Sequence, residues 1–428
     1  MTHVCIIGAG IVGVSTAIWL RRDGHDVTLV DRAGPGEGTS FGNAGVLASC
    51  SIVPVTGPGL VSKAPRMLLE PPQPLFLKWG YLPKLMPWLR QYLANANETD
   101  TKRIAAGLAL IVPDSLAEHQ ALAAGTGAEG YIAPSDYVFG YRDLAHYEGD
   151  AFAWGLRRDH GFRWDVLAGE LVRSYDPALS ADIGVLARVP DHGHIKDPGG
   201  YVKALAAFAQ RQGVRLVKAD VETVLREGGK VRGVRARGET VAADAVVLAT
   251  GVWSKPLCAA LGLDVPLESE RGYHLELWEP SVMPRAPIMV AAGKFVATPM
   301  EGRLRLAGIV EFGGLDAPPS RAPFRLLEGS IRNALPGLTW GERREWMGHR
   351  PAPSDSLPLI GALPGTQGAF AGFGHHHIGL TAGPKTGRLL AQIIGGQRPN
   401  VDISVFAPSR FSQGASMRRQ NTSASDAA

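Results

Sequence analysis

Within the first thirty-one residues, HVCIIGAGIVG runs into a helical pattern and the chain returns through DVTLVD. Val4 to Ile7 is an apolar run of the kind that forms a buried strand, and Gly8, Gly10 and Gly13 stand at G-x-G-x-x-G spacing. Arg21, Arg22 and Gly24 supply a basic last turn and a left-handed stop for the helix between the two strands. The result is one complete βαβ unit. Each glycine serves a different purpose. Gly8 makes the tight turn, Gly10 lets backbone N–H groups approach a pyrophosphate, and Gly13 lets the helix press on the strand. Asp31, closing the second strand, stands where an acid takes hydrogen bonds from the ribose of a dinucleotide, and Arg32 follows it. A glycine turn alone would say little; strand, helix, second strand and acid in register point to a dinucleotide site.

The rest of the composition sets limits. With 428 residues and 45% hydrophobic content, the chain can bury about two domains or one bilobal core. The net charge of +4 arises from 44 basic and 40 acidic residues spread through the sequence, so it signals a solvated surface and no nucleic-acid partner. Cys5, Cys50 and Cys258 are too few for a disulfide framework and one short of a four-thiolate cluster, which favours a reducing, cytoplasmic setting. The N-terminal apolar run lacks the basic leader of a secretory signal, and no stretch has the length of a membrane-spanning helix.

Further along, a polar, glycine-rich loop from Ala33 to Ala48 offers Thr39, Ser40 and Asn43, with Ala44 and Gly45 beside them, as cofactor contacts. Residues 54–92 are rich in proline, aliphatics and aromatics. Trp79, Tyr81, Trp88, Lys78, Lys84 and Arg90 suit peripheral docking on the inner face of a cell membrane, or else a helical cap packed on the second domain; the prolines favour the cap. Residues 101–127 read as helix interrupted at Pro113. Tyr201, Val202, Leu205 and Phe208 share a helical face that Gly213 ends, and VRLV, VETVL and VRGVRA are short strands with a turn at Gly228 and Gly229. DAVVLATG at 244–251 is a buried strand whose Gly251 lets backbone lie close to a ligand, with Trp253 just beyond. Residues 266–345 alternate short strands and loops in the manner of an antiparallel sheet. A last helix with Pro384 near its start and Gly395 past its end follows the triplet His375, His376 and His377. Adjacent histidines on a loop point different ways and no acid or cysteine cluster accompanies them, so no metal is expected.

Taken together, GAGIVG, TSFGNAG, VVLATG, WMGHRPAPSDSLPLIG and FGHHHIGLTAGPKTG resemble the FAD-dependent D-amino acid oxidase superfamily, from Met1 to about Phe411. GEGTSFGNAG, PKLMPWL, ERGYH, GKFVATPME and DISVFAPSRF are most similar to its bacterial D-amino acid dehydrogenase branch, which also contains glyphosate oxidoreductase. The fold this implies is α/β (α+β overall): a Rossmann-type FAD-binding domain and an antiparallel-sheet substrate domain, as in glycine oxidase. The implied FAD domain comprises residues 1–56, 146–178, 196–265 and 346–411, the substrate domain 57–145, 179–195 and 266–345, and 412–428 form a disordered tail. FAD would be noncovalent, because the family's flavin-linking cysteine has no counterpart near WMGHRP. The resemblance also assigns Val221, Gly374, His375, Gly379, Leu380 and Thr381 to the cofactor, and the last helix's N-terminus to the flavin's pyrimidine ring.

The implied reaction is oxidation of an amino acid, foremost a D-amino acid, to an imine that hydrolyses to a 2-oxo acid. A secondary amine such as sarcosine, glyphosate, hydroxyproline or another N-substituted glycine is the alternative. Arg350 matches the position that holds the substrate carboxylate, a bidentate role suited to its planar fork. His377 stands where glycine oxidase-like chains carry arginine, which leaves open whether Arg350 has a cationic companion. Tyr273 and His274 in ERGYH approach the ring region, and only one side of that pair can face it, since strand neighbours alternate. Lys294 reads as an ordinary loop lysine, and no residue stands out as a general base. The electron acceptor implied is a quinone, a dye-like carrier or O2. Two other classes compete: the flavin subunit of a multi-subunit amine dehydrogenase, and an RNA-modifying flavoprotein, disfavoured because no basic aromatic-bearing extension is present.

Overall fold

The computed structural model describes residues 2–60 and 75–412. The tail expected to be disordered falls outside these residues apart from Ser412.

The opening motif forms β1 (His3–Ile7), α1 (Ile11–Arg22) and β2 (Asp26–Asp31). β1 lies between β2 and the Ala245–Leu248 strand, parallel to both, in register from Val4↔Val27 to Ile7↔Val30 on one side and Val4↔Ala245 to Ile7↔Leu248 on the other. Completing the six-stranded sheet are Arg215–Lys218 beyond β2, and Ala369–Phe373 and then Leu359–Ala362 beyond Ala245–Leu248. Only the Leu359–Ala362 edge runs antiparallel. A strand buried on both faces needs apolar residues at every position, and Val4, Cys5, Ile6, Val246, Val247 and Leu248 are all fully buried.

One face of this sheet carries α1, the Pro198–Arg211 helix and the Gly379–Ile394 helix. α1 and the last helix cross closely because glycines remove the side chains between them: a Cβ on Gly383 would come within 2.9 Å of Ile11, and one on Gly387 within 2.6 Å of Ser15 and the Thr16 backbone. The other face is covered by a three-stranded antiparallel sheet, Val221–Glu227, Lys230–Ala236 and Glu239–Ala242. Its first hairpin turns at Gly228 and Gly229, both at positive φ as their sequence suggests.

The second sheet has ten strands. Its path runs Glu342–Pro353, Leu267–Trp278, Arg303–Phe312, Phe295–Met300, Ile288–Val290, Ile132–Tyr141, Val185–Ile195 and Val46–Leu47. The strands within 266–345 pair antiparallel with one another, as expected, and the sheet is mixed only where Ile288–Val290 pairs parallel with Ile132–Tyr141, and Leu75–Leu77 parallel with Arg303–Phe312.

Three stretches of the chain cross the expected domain limits. Residues 98–123, expected with the substrate sheet, form the Glu98–Leu108 and Ser115–Ala123 helices, whose Ile104, Leu108 and Leu122 pack in one core with β1 and α1. Within 146–178, expected with the FAD domain, Asp165–Ala168 instead pairs with Val185–Ile195 of the large sheet. The boundary at 345 falls inside a continuous strand, Glu342–Pro353. Apolar faces place the two helices, while backbone pairing places Asp165–Ala168, and sequence order reveals neither.

Candidate active site

A cavity of ≈ 1230 Å³ lies between the two sheets. At one end it is walled by Gly8, Gly10, Asp31, Val221 and Gly251, and along its middle by Thr39, Ser40, Asn43 and Ala44. Gly374, His375, Gly379, Leu380 and Thr381 follow at the start of the last helix, and Glu270, Gly272, Arg350 and His377 lie on the large-sheet side.

The glycine turn has the close contacts its motif requires. Gly8 sits at φ +105°, where a Cβ would meet the Ala249 carbonyl oxygen at 2.4 Å. A Cβ on Gly13 would lie 1.9 Å from the Gly8 carbonyl oxygen, so Gly13 acts through helix–strand packing and does not itself line the cavity. Asp31 carries more than the ribose role expected of it. Its Oδ2 accepts from the Ala9 N–H at 2.8 Å, and its Oδ1 from the N–H groups of Ala33 and Gly34, both at 2.8 Å. The carboxylate thereby fixes the glycine turn while still lining the cavity. Arg32 and Trp253 stack on one another, the guanidinium 3.9 Å from the indole centre, at the same end.

The 39–45 loop is tied down rather than free to adapt. Thr39 Oγ1 donates to the His349 carbonyl at 2.9 Å, Ser40 Oγ accepts from the Ile11 N–H at 3.0 Å, and Asn43 Oδ1 accepts from the Gly45 N–H at 2.8 Å. Gly45, at φ +82°, supports the loop from outside the cavity wall. Beneath it, Arg305 donates to the carbonyls of Phe41 (2.9 Å) and Asn43 (2.6 Å) and pairs with Glu276 at 2.6 Å. Burial alone would raise the Glu276 carboxyl, but Arg305 and Arg303 hold it down to about 2. Sequence reasoning missed this network, whose members sit on two strands well separated from the loop.

The Leu267–Trp278 strand settles which side of ERGYH matters. Tyr273, Leu275 and Leu277 turn into the core beneath the Ala322–Ala334 helix, so Glu270, Gly272, His274 and Glu276 share the opposite face. The Tyr273 hydroxyl donates to Glu311 at 2.7 Å and accepts from the Ser320 N–H at 3.0 Å, while other atoms of the residue still line the cavity. His274 faces the right way but is covered: it stacks on Trp346 with centroids 5.0 Å apart and bonds the Gly42 carbonyl through Nδ1 at 3.0 Å. It orders the cofactor loop and is absent from the cavity wall. Glu270, four residues before His274 on the same face, lines the cavity with Gly272, and the apolar alternation of Tyr273, Leu275 and Leu277 is the signal that could have found it.

Opposite this face, Arg350 pairs in register with Glu270, Gly348 with Gly272, and Trp346 with His274. Arg350 lays its guanidinium over Gly272, where a Cβ would stand 2.7 Å from Nε, and no described residue hydrogen-bonds its side chain. Burial lowers its pKa and Glu270 opposes that effect. Glu270 is 4% exposed, with His376 Nε2 at 2.7 Å; burial would raise its carboxyl, yet His376, Arg350 and His377 hold it below the usual range. His377 lines the cavity, and burial together with His376 and Arg350 holds its pKa down to about 3, so it is no second cation for a carboxylate. His375 is locked on Thr386 Oγ1 at 2.9 Å. Tyr92, also overlooked in the sequence, enters from the Leu82–Ala94 helix; its buried hydroxyl has no partner, and burial, with Glu270 nearby, raises its pKa well above normal. That helix is a cap, as its prolines suggested: Leu85, Trp88 and Tyr92 are buried, Trp88 Nε1 donates to the Ala352 carbonyl at 2.9 Å, and Trp79 stays exposed. Lys294 lies at the cavity edge with an exposed side chain. No helix among the described residues is long and apolar enough to cross a membrane, and no group of three or more His, Cys, Asp or Glu among them is placed to hold a metal.

Burial also holds six histidines well below their ordinary value: His119, His194, His349 and His375 to about 4, His274 and His377 to about 3. An unfolded chain protonates each near pH 6.5, so the stability tied to their neutrality is complete above that pH and lost as pH falls toward 3–4. Thermal melts should therefore show the midpoint dropping already between pH 7 and pH 5, before carboxylates titrate; a flat midpoint over that interval would contradict it.

The cavity suits FAD. It is long, begins at a glycine turn facing a helix N-terminus, and ends beneath a second helix N-terminus, with no cysteine in its wall. The three cysteines are buried elsewhere. A family model described as FAD dependent oxidoreductase (DAO) matches residues 3–393. A D-amino-acid oxidase of Bradyrhizobium diazoefficiens is 36% identical over 416 residues, covering 96% of this chain and 99% of the relative. A D-amino acid dehydrogenase of Xanthobacter autotrophicus is 31% identical, covering 96% and 100%. In fold, the chain is similar to glycine oxidase from Geobacillus kaustophilus, with a TM-score of 0.74, 22% identity and coverage of 96% and 99%.

Proposed function

Because the chain belongs to the FAD dependent oxidoreductase (DAO) family, it is an FAD-dependent enzyme of amino-donor oxidation, and we propose that its substrates are D-amino acids with apolar side chains. The observation that carries this reading is Arg350, a guanidinium in the cavity wall whose donors no described side chain takes, beside an apolar chamber. A carboxylate is the natural partner of that planar fork. Leu75, Leu77, Leu82, Leu85, Leu89 and Phe312 line the adjoining space and offer a side chain nothing but hydrocarbon. The oxidase and dehydrogenase names of the two relatives support the D configuration.

Bound FAD supplies a hydride acceptor for the substrate Cα–H. Gly8, Gly10 and the N-terminus of α1 would hold its pyrophosphate, Asp31 its ribose, and the N-terminus of the Gly379–Ile394 helix the far end of the ring. The protein's own part is positional. Arg350 fixes the carboxylate, the leucine cap excludes water from the reacting carbon, and Glu270 keeps the pocket's net charge from building up around the guanidinium.

The test is anaerobic bleaching of the bound flavin by D-amino acids, their L-enantiomers and N-substituted glycines. Apolar D-amino acids should bleach it, with kcat/KM rising about fourfold per added methylene up to the chamber's capacity. Bleaching by N-substituted glycines alone would replace this reading with secondary-amine oxidation. A quinone or dye-like carrier completes the proposal as acceptor, and the same samples opened to air would refute that part by forming peroxide at the full turnover rate. Contact with a membrane surface through the exposed Trp79 region would serve a quinone acceptor.

A further inference from the structure

We propose that Glu270, His376 and His377 form a proton relay that takes a proton from the substrate's ammonium group, with His377 as the catalytic residue and the other two as positioning residues. The inference rests on the amine-oxidation reading and adds what that reaction needs, since a protonated amine has no lone pair with which to expel a hydride.

Two short contacts mark the path of the proton. His376 Nδ1 and His377 Nδ1 are 2.7 Å apart, and His376 Nε2 is 2.7 Å from Glu270 Oε1. His376 Nε2 meets the buried carboxylate by distance and not in hydrogen-bond alignment, and the relay assigns it a proton. In a neutral ring its Nδ1 is then an acceptor, so His377 Nδ1 is the donor, and His377 Nε2 holds a lone pair. That nitrogen has no hydrogen-bond partner among the described residues, on a side chain that lines the cavity. Bringing the two consecutive rings together, edge-on at an interplanar angle of 69°, requires unusual backbone: His376 adopts φ +52°, with its N–H bonded to the Pro351 carbonyl at 2.9 Å.

In the transfer, an ammonium N–H bond breaks, its electron pair stays on the amine nitrogen, and the proton joins His377 Nε2. The Nδ1 proton of His377 passes to His376 Nδ1, and the new imidazolium rests against the Glu270 carboxylate. Two groups face the relay from neighbouring elements, Arg350 from the Glu342–Pro353 strand and Tyr92 from the Leu82–Ala94 helix; its own carboxylate, Glu270, comes from the Leu267–Trp278 strand. Arg350 opposes a cation on His377, which is why the charge must move one ring further, to the carboxylate.

Two measurements test the relay. Histidine side-chain 15N NMR of the FAD-loaded protein should show His377 as the Nδ1–H tautomer at pH 7; the Nε2–H tautomer would overturn the proposal without touching the reaction itself. In Glu270→Gln, which keeps the shape and removes the charge, anaerobic flavin reduction by the preferred amino acid should slow about 100-fold at pH 7 and recover as the pH rises toward the free amine's own pKa. An unchanged pH profile, or a loss that no pH restores in a protein retaining its flavin, would overturn it. Should Glu270→Gln lose its flavin, His377→Gln at the cavity surface must give the same pH-dependent loss. A wild-type flavin that no amine bleaches would remove the proposed function, and the relay with it.

Discussion

Arg350→Ala is expected to lower kcat/KM for the preferred amino acid by about 150-fold, close to 3 kcal/mol, with most of the loss in KM. That magnitude is typical of a buried, hydrogen-bonded charge pair losing one partner, and the site offers no substitute. His377 is held neutral, Arg271 on the adjacent strand spends its guanidinium on Glu311 (2.7 Å) and the Ala317 carbonyl (2.6 Å), Arg32 stacks on Trp253, Arg157 donates to the Cys50 carbonyl, and Lys294 extends from an exposed loop. Glu270 makes the effect larger than a simple truncation, because its carboxylate then loses one of the charges that keep it ionised. Arg350→Lys should recover only part, since an ammonium restores the charge and not the fork. Gly272→Ala should imitate the arginine variant without altering a polar group, because its Cβ would displace the guanidinium from 2.7–2.9 Å. Substrate kinetics on the three variants, with flavin content as control, check this; an Arg350→Ala enzyme of wild-type KM would remove the carboxylate role.

Gly13→Ala should purify with at least tenfold less FAD and with about 1–3 kcal/mol less stability. The added methyl would stand 1.9 Å from the Gly8 carbonyl oxygen and 3.1 Å from its carbon, and neither belongs to a flexible side chain. Relief would require α1 to move away from β1. That movement is blocked on the other side, where Ile11, Ser15 and Thr16 already meet Gly383 and Gly387 of the last helix. Any shift therefore carries both helix N-termini away from the cavity together, which is why the loss should appear in cofactor content first. Gly329→Ala, in the Ala322–Ala334 helix with nothing within 4 Å of its Cβ, should stabilise the fold and leave the flavin in place. Visible absorbance per chain and denaturant melts decide; full flavin in Gly13→Ala would show that the helix can retreat.

The opening βαβ unit, the Ala245–Leu248 strand and the last helix were legible because their determinants are local: glycine spacing, continuous apolar runs and helix end signals act within a few residues of one another. That Arg350, His377, Gly8 and Gly10 line one cavity was anticipated through family resemblance alone. The roles of Tyr273 and His274 were not, although their alternation was visible. Which parity of a strand buried on both faces meets the cofactor depends on what covers each side, here the Ala322–Ala334 helix over Tyr273 and Trp346 over His274.

Short-range patterns along the chain are enough to dictate a dinucleotide-type half-sheet near its start. Folding alone brings Glu270 and Arg350, 80 positions apart but paired in strand register, into one wall with Tyr92 and the histidine triplet. Folding likewise turns Asp31 toward backbone N–H groups and Glu276 toward buried arginines. Such partnerships follow from strand pairing and helix docking, whose energies are collective and have no counterpart in any local stretch of sequence.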